Sequence, residues 1–331
     1  MMSRAFRSAS RPVRVVYIAM ALALPCACGD ASSAESSPSN GGHDGGTHGD
    51  DAGAPSAARD AGGDAASSGD AAVGADGQAA SRCTATATQV SCTYQQETVP
   101  IPGGSRTVYW QVPLGKPSGA GWPVVLVYQG SFFEASTFFF GATSDVFGQY
   151  YGALMVKNLL DAGFAVIAPD AAVNGSTYWE TNIPPYSTDW GSAPDNALVD
   201  ALFTQIASGS LGPLDGARLY ATGPSSGGYM TSRMAVSYQG RFRALAIESA
   251  SYATCGGPAC TIPTPLPSDH PPTLFLHGGM DPLVPVSTME AYNSDLLAEG
   301  KQTKVVIDPN ATHQWIAAAP TEVPAWFEAH P

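Results

Sequence analysis

Residues 220–230 read YATGPSSGGYM, and this stretch decides the fold. Gly223 and Gly227 flank Ser225 at two residues on either side. Glycines at these positions let a strand turn abruptly into a helix and leave the serine exposed at the top of a sheet. The pattern therefore predicts a strand, a sharp turn and a helix, with Ser225 as a nucleophile. Ser226 is the competing serine, but the residue two before it is a proline, which does not allow the close approach that glycine allows.

Short runs rich in Val, Ile, Leu and aromatic residues recur on both sides of this motif. A continuous run such as residues 124–127, VVLV, indicates a strand buried on both faces, which is typical of a parallel sheet covered by helices. The sequence thus predicts a doubly wound α/β fold with a mostly parallel sheet, in which ligands bind at the carboxyl ends of strands. The predicted strands span residues 106–112, 123–128, 165–168, 218–222, 244–247, 273–277 and 303–307, and the predicted helices span residues 147–160, 195–207, 227–237 and 287–298.

Two later strand ends supply partners for Ser225. Asp281 lies in the turn after the sixth predicted strand, and His313 lies in the loop after the seventh. In folds with this serine motif the acid follows the nucleophile along the chain and the histidine comes last. A serine nucleophile needs a general base, and the base needs a buried carboxylate that fixes its tautomer. His313 and Asp281 are predicted for these roles, with Asp308 and Glu248 as alternative acids.

Backbone N–H groups near the serine are needed to stabilise an oxyanion. The N–H of Ser226 lies at the start of the predicted helix, so it is one predicted donor. The second donor is expected in the loop that follows residues 123–128. Ser131 is the first choice in this loop and Phe132 is the other.

The N-terminal residues 1–28 have the features of an export signal. Four arginines precede an apolar run over residues 15–24, and a zone of small residues follows and ends at Cys28. This order is typical of a signal peptide, and the run is shorter than the roughly 20 residues of a transmembrane helix. We therefore expect a secreted, extracellular protein. Cys28 directly follows an alanine, as a lipoprotein acceptor cysteine does, so an outer-surface lipoprotein tethered to the membrane through lipidated Cys28 stays open.

The rest of the chain divides into a linker and one domain. Residues 29–82 are rich in Ala, Gly, Ser and Asp, with Val73 as the only large apolar residue. Such a segment has no core to bury and is predicted to be a disordered linker. Residues 83–331 contain every Trp and are long enough for one catalytic domain. The net charge of −13 repels phosphate and argues against a nucleic-acid partner.

Four cysteines lie in residues 83–331, in two close pairs. Disulfides are expected in an exported protein, and four cysteines allow three pairings. We favour the local pairing, Cys83 with Cys92 and Cys255 with Cys260. Zinc binding by the second pair is the alternative, although no histidine ligands lie beside it.

Several longer blocks resemble one family. The chain, over about residues 82–331, is similar to the extracellular medium-chain-length polyhydroxyalkanoate depolymerases, also called poly(3-hydroxyoctanoate) depolymerases. The resemblance implies an α/β-hydrolase fold and a serine esterase without a metal or organic cofactor, and it assigns the nucleophile, acid and base to Ser225, Asp281 and His313. The blocks are GWPVVLVYQGSFF at 121–133, TSRMAVS at 231–237, SYATC at 251–255 and HPPTLFLHG at 270–278.

The chain departs from the family in two places. The serine box of the family reads Gly-Ile-Ser-Ser-Gly, and here Pro224 replaces the isoleucine. Proline pushes the preceding Gly223 toward extended geometry, as a strand end requires, so we expect activity to be retained. The acidic linker resembles no polymer-binding module, which suggests tethering and leaves adsorption to the catalytic domain.

The resemblance implies a hydrophobic, medium-chain-length polyester as the substrate, cleaved through an acyl-enzyme. Aromatic residues near the predicted loops agree with an apolar groove beside Ser225, and we expect Phe132, Phe133, Trp179 and Trp315 to bind substrate. One alternative is a generic carboxylesterase, or a feruloyl or acetyl esterase acting on plant-derived esters. Another is an inactive surface-binding protein on a hydrolase scaffold.

Overall fold

The computed structural model describes residues 80–171 and 178–331. The predicted signal peptide, Cys28 and residues 29–79 of the predicted linker lie outside these ranges. No helix within them is both long and apolar enough to cross a membrane.

The strands are β1 (Cys83–Ala85), β2 (Gln89–Cys92), β3 (Gln95–Ile101), β4 (Gly104–Gln111), β5 (Trp122–Val127), β6 (Phe140–Ala142), β7 (Ala165–Pro169), β8 (Leu214–Pro224), β9 (Phe242–Glu248), β10 (Thr273–Gly278) and β11 (Thr303–Asp308). The α-helices are α1 (Gln149–Asp161), α2 (Pro194–Ser208), α3 (Ser226–Ser237), α4 (Val286–Ala298) and α5 (Ala319–Glu328).

The main sheet has the strand order β11-β10-β9-β8-β5-β7-β4-β3. All pairs from β11 to β7 are parallel, whereas β4 runs antiparallel to β7 and β3 antiparallel to β4. This order confirms the predicted doubly wound, mostly parallel sheet. The chain moves outward in opposite directions from β5 and β8, so a crevice forms at the carboxyl ends of these two neighbours.

Helices cover both faces of this sheet. Val125 and Val127 pack on the side of α1 and α5, while Val124 and Leu126 pack on the side of α2 and α3. All four valine and leucine side chains are fully buried, as the continuous apolar run predicts. Burial of each such side chain contributes about 1.5 to 3 kcal/mol, so the core fixes the position of the β5 end.

A small antiparallel sheet, β1-β2-β6, lies at the start of the domain. Cys83 and Cys92 face each other in the β1–β2 register and form a disulfide, as do Cys255 and Cys260. The local pairing is therefore confirmed. Because their sulfurs are bonded to each other, Cys255 and Cys260 do not form a zinc site.

Helix α1 begins two residues later than predicted. Phe147 has φ 56° and Gly148 has φ 68°, and these left-handed conformations do not belong to a helix. The side chain of Phe147 is thereby turned out of the helix, toward the carboxyl ends of the strands.

Candidate active site

Ser225 occupies the sharp turn that the serine motif predicts. β8 ends one residue before it and α3 begins one residue after it, and its backbone has φ 55° and ψ −120°, which is strained for a residue other than glycine. A Cβ on Gly223 or Gly227 would lie 2.3 or 2.0 Å from the carbonyl oxygen of Tyr128. The two glycines are therefore required by the close approach of β5 to the turn.

His313 and Asp281 are hydrogen-bonded to each other. Nδ1 of His313 lies 2.7 Å from Oδ2 of Asp281, and Oδ1 of Asp281 accepts the backbone N–H groups of Leu283 and Val284, both at 2.9 Å. Burial raises the pKa of Asp281, but the bonds from His313 and from the two backbone N–H groups outweigh it, and the pKa lies below its ordinary value. Asp281 therefore carries charge at neutral pH and holds the proton of His313 on Nδ1.

The other histidine and acids of this region have their closest contacts elsewhere, although Nε2 of His277 also lies 3.5 Å from Oδ2 of Asp281. His277 is fully buried, and its Nε2 donates to the carbonyl of Val284 at 2.9 Å. Glu248 is also fully buried and accepts the hydroxyl of Ser249 at 3.4 Å. Asp308 accepts the N–H of Asn310. These contacts give Asp281, rather than Glu248 or Asp308, the position of the carboxylate beside His313.

Ser225 and His313 line one cavity of about 340 Å³, at the carboxyl ends of β5 and β8. Ser131 and Pro224 also line it, so Pro224 forms part of the wall beside the serine. The volume is within the range of small-molecule sites.

Aromatic side chains make up much of the cavity wall. The rings of Phe133 and Phe147 meet edge to face, with centroids 5.7 Å apart, and Phe138 meets Trp315 in the same way at 6.3 Å. Phe147 also contacts the ring of His313. Phe132 lies at the mouth, where 84% of its surface is exposed. Of the four predicted substrate-binding residues, the structure thus brings Phe132, Phe133 and Trp315 to the cavity.

The fourth, Trp179, is fully buried and lies outside the cavity. Its backbone N–H donates to Oγ of Ser226 at 2.8 Å, and its indole N–H donates to the carbonyl of Gln129 at 2.9 Å. The prediction of direct substrate contact is wrong for this residue, because its whole surface packs against protein.

The two predicted oxyanion donors lie at the starts of two segments that follow neighbouring strands, β8 and β5. Ser226 is the first residue of α3 and Ser131 follows β5, and in the described ranges neither backbone N–H donates to a protein acceptor. The alternative donor, Phe132, has φ 70°. The N–H of a helix N-terminus and the N–H of Ser131 in the neighbouring turn are suited to binding an anionic oxygen.

Phe147, Gln149 and Gly152 line the cavity but are not predicted from the sequence as site residues. Gly152 carries a usable signal, because a glycine inside a predicted helix often marks the close approach of a neighbour. Phe147 carries none, since its direction depends on a backbone conformation that the helical pattern does not reveal.

No protein-family model matches the chain. A poly(3-hydroxyoctanoate) depolymerase from Pseudomonas fluorescens is 50% identical to it over 244 residues, which are 73% of this chain and 87% of the relative. The chain belongs to the poly(3-hydroxyoctanoate) depolymerase family. As a member of this depolymerase family it is a carboxylic ester hydrolase.

Solved structures relate this depolymerase family member to the α/β-hydrolases. A dienelactone hydrolase-like promiscuous phosphotriesterase from metagenomic libraries matches with a TM-score of 0.52 and 18% identity, over 73% of this chain and 99% of that one. S-formylglutathione hydrolase from Staphylococcus aureus matches with a TM-score of 0.51 and 13% identity, over 71% of this chain and 96% of that one. At these identities the likeness concerns the fold, which is the predicted α/β-hydrolase fold.

Proposed function

We propose that the protein hydrolyses the ester bonds of medium-chain-length poly(3-hydroxyalkanoates). Ser225 is the nucleophile, His313 the general base and Asp281 the acidic residue of the triad, whose carboxylate orients His313. One observation carries the proposal: strained Ser225 opens into an aromatic cavity together with His313, whose Nδ1 is bonded to Asp281. A strained turn that exposes a serine beside a histidine–carboxylate pair is the arrangement that acyl transfer requires.

In the proposed reaction, Oγ of Ser225 attacks the ester carbonyl carbon while Nε2 of His313 takes the hydroxyl proton. The backbone N–H groups of Ser226 and Ser131 stabilise the oxyanion that forms. Collapse of this intermediate breaks the ester C–O bond, and His313 gives the proton to the departing alcohol. Water, activated by the same histidine, then hydrolyses the acyl-enzyme.

The preference for medium-length alkyl side chains rests on the cavity and on the relative. The cavity wall is rich in phenylalanine, and the curated relative is named for poly(3-hydroxyoctanoate). Each methylene buried in such a wall contributes about 0.8 kcal/mol. Four additional buried carbons therefore favour the longer side chain by about 3 kcal/mol, on the order of a hundredfold in kcat/KM.

Soluble oligomers test this substrate assignment without the complication of adsorption. We expect kcat/KM for 3-hydroxyoctanoate oligomers to exceed that for 3-hydroxybutyrate oligomers of equal length by one to two orders of magnitude. Equal values, or a preference for the butyrate, would remove the polymer assignment and leave a general carboxylesterase. Labelling by a fluorophosphonate separates both enzymes from an inactive binding protein.

Substitution of the three residues tests the proposed triad. Ser225→Ala and His313→Ala should each lower kcat by roughly 10⁴ to 10⁶, with a milder effect for Asp281→Ala, and the double variants should be no worse than the worst single variant because the three act as one unit. The measurement is kcat on a soluble ester. Normal turnover by Ser225→Ala, with loss in Ser226→Ala, would identify Ser226 as the nucleophile instead.

We also propose that residues 1–28 direct export and that residues 29–82 link the catalytic domain to its N-terminus. The support is the order of arginines, apolar run and small residues in residues 1–28, and the high content of Ala, Gly, Ser and Asp in residues 29–82. Mass spectrometry of the mature N-terminus distinguishes the two forms of export: a diacylglyceryl mass on Cys28 indicates a lipoprotein, and an unmodified terminus near this residue indicates a released enzyme.

A further inference from the structure

We infer that Trp179 is a positioning residue for the oxyanion hole, because it ties together the two segments that carry the donors. The inference rests on the proposed function of Ser225. Trp179 uses two different N–H groups: its main-chain N–H reaches Oγ of Ser226 at 2.8 Å, and its indole N–H reaches the carbonyl of Gln129 at 2.9 Å. One fully buried residue, through its main chain on one side and its indole on the other, therefore bridges α3 and the loop after β5.

The loop after β5 depends on this bond. Gln129 is followed by Gly130, which rotates more freely than any other residue, and then by Ser131, whose N–H is a proposed donor. The carbonyl of Gly130 accepts the N–H of Phe133 at 3.4 Å. Because the C=O and N–H of a trans peptide point in opposite directions, this bond aims the N–H of Ser131 away from the turn. The bond from the indole N–H of Trp179 to the carbonyl of Gln129 fixes the Gln129–Gly130 peptide. Both peptides that flank Gly130 are therefore held, and the turn does not rotate about this glycine.

The side chain of Gln129 braces the same loop. Its Nε2 donates to the carbonyl of Phe133, and its Oε1 accepts the N–H of Ala171 at 3.4 Å. The indole ring of Trp179 is itself fixed edge-on against the ring of Tyr128, with centroids 5.0 Å apart. These contacts hold the indole N–H in place, so the spacing between the Ser131 and Ser226 donors is set by a rigid residue.

The Trp179→Phe variant tests this role, since it removes the indole N–H and keeps a ring and the backbone N–H. We expect kcat on a soluble ester to fall about 10-fold to 100-fold with KM changed less than twofold. Inhibition by a trifluoromethyl ketone should weaken by the same factor as kcat/KM. This inhibitor forms a hemiketal in which Oγ of Ser225 bonds to the carbonyl carbon, the hydroxyl proton passes to His313 and the carbonyl oxygen becomes an oxyanion.

Trp190→Phe is the matched control. The indole N–H of Trp190 donates to the hydroxyl of Tyr238 at 3.2 Å, in a buried position outside the cavity. This variant should lose thermal stability and keep both kcat and ketone inhibition. If Trp179→Phe behaves like it, with kcat within twofold of the unaltered protein, the residue serves packing alone and the inference is overturned.

A second replacement covers the case in which Trp179→Phe does not fold. In β-(3-benzothienyl)alanine a sulfur takes the place of the indole N–H, and the ring shape is kept. Incorporated at position 179 it should give the same loss of kcat, and unchanged kcat would overturn the inference. Ser225→Ala separates this outcome from the proposed function: turnover that survives in Ser225→Ala contradicts the proposed nucleophile, whereas loss there with full activity of both Trp179 replacements contradicts only the positioning role.

Discussion

His270 is a buried histidine in the loop before β10, and it is fully satisfied in its neutral form. Its Nδ1 donates to the carbonyl of Pro271 at 2.9 Å, and its Nε2 accepts from the hydroxyl of Tyr292 at 2.7 Å. Burial lowers the pKa of His270 from 6.5 to about 4. The folded protein thus keeps this ring neutral under conditions in which the unfolded chain protonates it.

We expect this group to weaken the fold in acid. The folded pKa lies below the unfolded value, so the unfolded chain binds the proton first, and stability present above pH 6.5 is lost as the pH falls toward 4. The contribution amounts to about 3 kcal/mol. In urea unfolding between pH 7.5 and 4, the stability gap between the unaltered protein and His270→Gln should narrow by about this amount.

The comparison of two proteins isolates His270 from other groups that titrate in the same range. Burial raises the pKa of Asp195 to about 7, which gives the opposite dependence on pH, but Asp195 is present in both proteins. Parallel stability curves would show that His270 is not the group responsible.

At this scale the sequence predicts residues whose role follows from their place along a strand. Ser225, Asp281 and His313 each follow a strand, so their meeting at one edge could be expected, while their catalytic roles stay a prediction. Trp179 could not be read in this way, because its role depends on where two N–H groups point. The aromatic residues of its loop predict substrate contact, but Trp179 is fully buried against protein.

The sequence of helix α5 contains a proline, which disfavours a helix. Pro324 lies inside it and has no N–H for the carbonyl of Pro320, one turn earlier. The side-chain amide of Asn158, on α1, donates to that carbonyl at 2.8 Å. The missing helical bond is thus replaced from a neighbouring helix, a contact that no local pattern reveals. The strands β1, β2, β3 and β6 are also missing from the prediction because they are short or polar.

Helix α1 sets one wall of the cavity through Gly152. A Cβ at this position would lie 2.9 Å from Nε1 of Trp315, so Gly152→Ala should push the indole and narrow the cavity. We expect the ratio of kcat/KM for 3-hydroxyoctanoate over 3-hydroxybutyrate oligomers to fall several-fold, by about the 0.8 kcal/mol per methylene that no longer fits.

Gly191→Ala is the control for this change, because a Cβ there would meet nothing within 4 Å. The ratio should be unaffected in that variant. A Gly152→Ala protein with an unchanged ratio would mean that Trp315 does not limit the side-chain length.

The two disulfides close short loops, with sequence separations of 9 and 5 residues. The chain-entropy relation gives about 2 to 3 kcal/mol of stability for each. We expect a reducing agent to lower the thermal midpoint measured by circular dichroism. Cys255→Ser combined with Cys260→Ser should give part of the loss without reductant. A free-thiol titration of the denatured, unreduced domain that finds four reactive thiols would contradict the pairing.

The whole domain should be independent of the residues that precede it. Ser81 and Arg82 already contact the domain, through Oγ of Ser81 to Asp161 and Nε of Arg82 to the carbonyl of Val112. A chain that begins at Ser81 should fold and hydrolyse soluble esters at the full-length rate, as measured by kcat and by the thermal midpoint.

A chain that begins at Thr93 provides the contrast, since it lacks β1, β2 and the first disulfide. Val90 and Cys92 belong to the core cluster that packs around α1, so their loss should lower the thermal midpoint clearly. Equal midpoints for the two shortened chains would mean that the small sheet adds no stability.

The sequence predicts which segments form the main sheet more completely than it predicts where each strand begins and ends. All seven predicted strands belong to the main sheet, and the continuous apolar runs among them, such as residues 124–127, are buried on both faces. The boundaries differ most at β8, which begins four residues before the predicted residue 218. Leu214 pairs with Trp122 of β5, and a register shift separates this pair from Val124 and Leu219, so the extension depends on the assembled sheet.

The two edge strands of the main sheet, β3 and β11, affect how the protein behaves when many copies are crowded together. An edge strand offers unpaired backbone groups to any other chain and so invites aggregation. β3 carries the exposed Pro100, which has no N–H to offer an added strand, and β11 carries the exposed Lys304, whose charge would be desolvated on pairing. The proline on β3 and the lysine on β11 therefore both oppose the addition of a strand from another molecule. We expect a concentrated solution of the folded enzyme to resist fibril formation through these two edges.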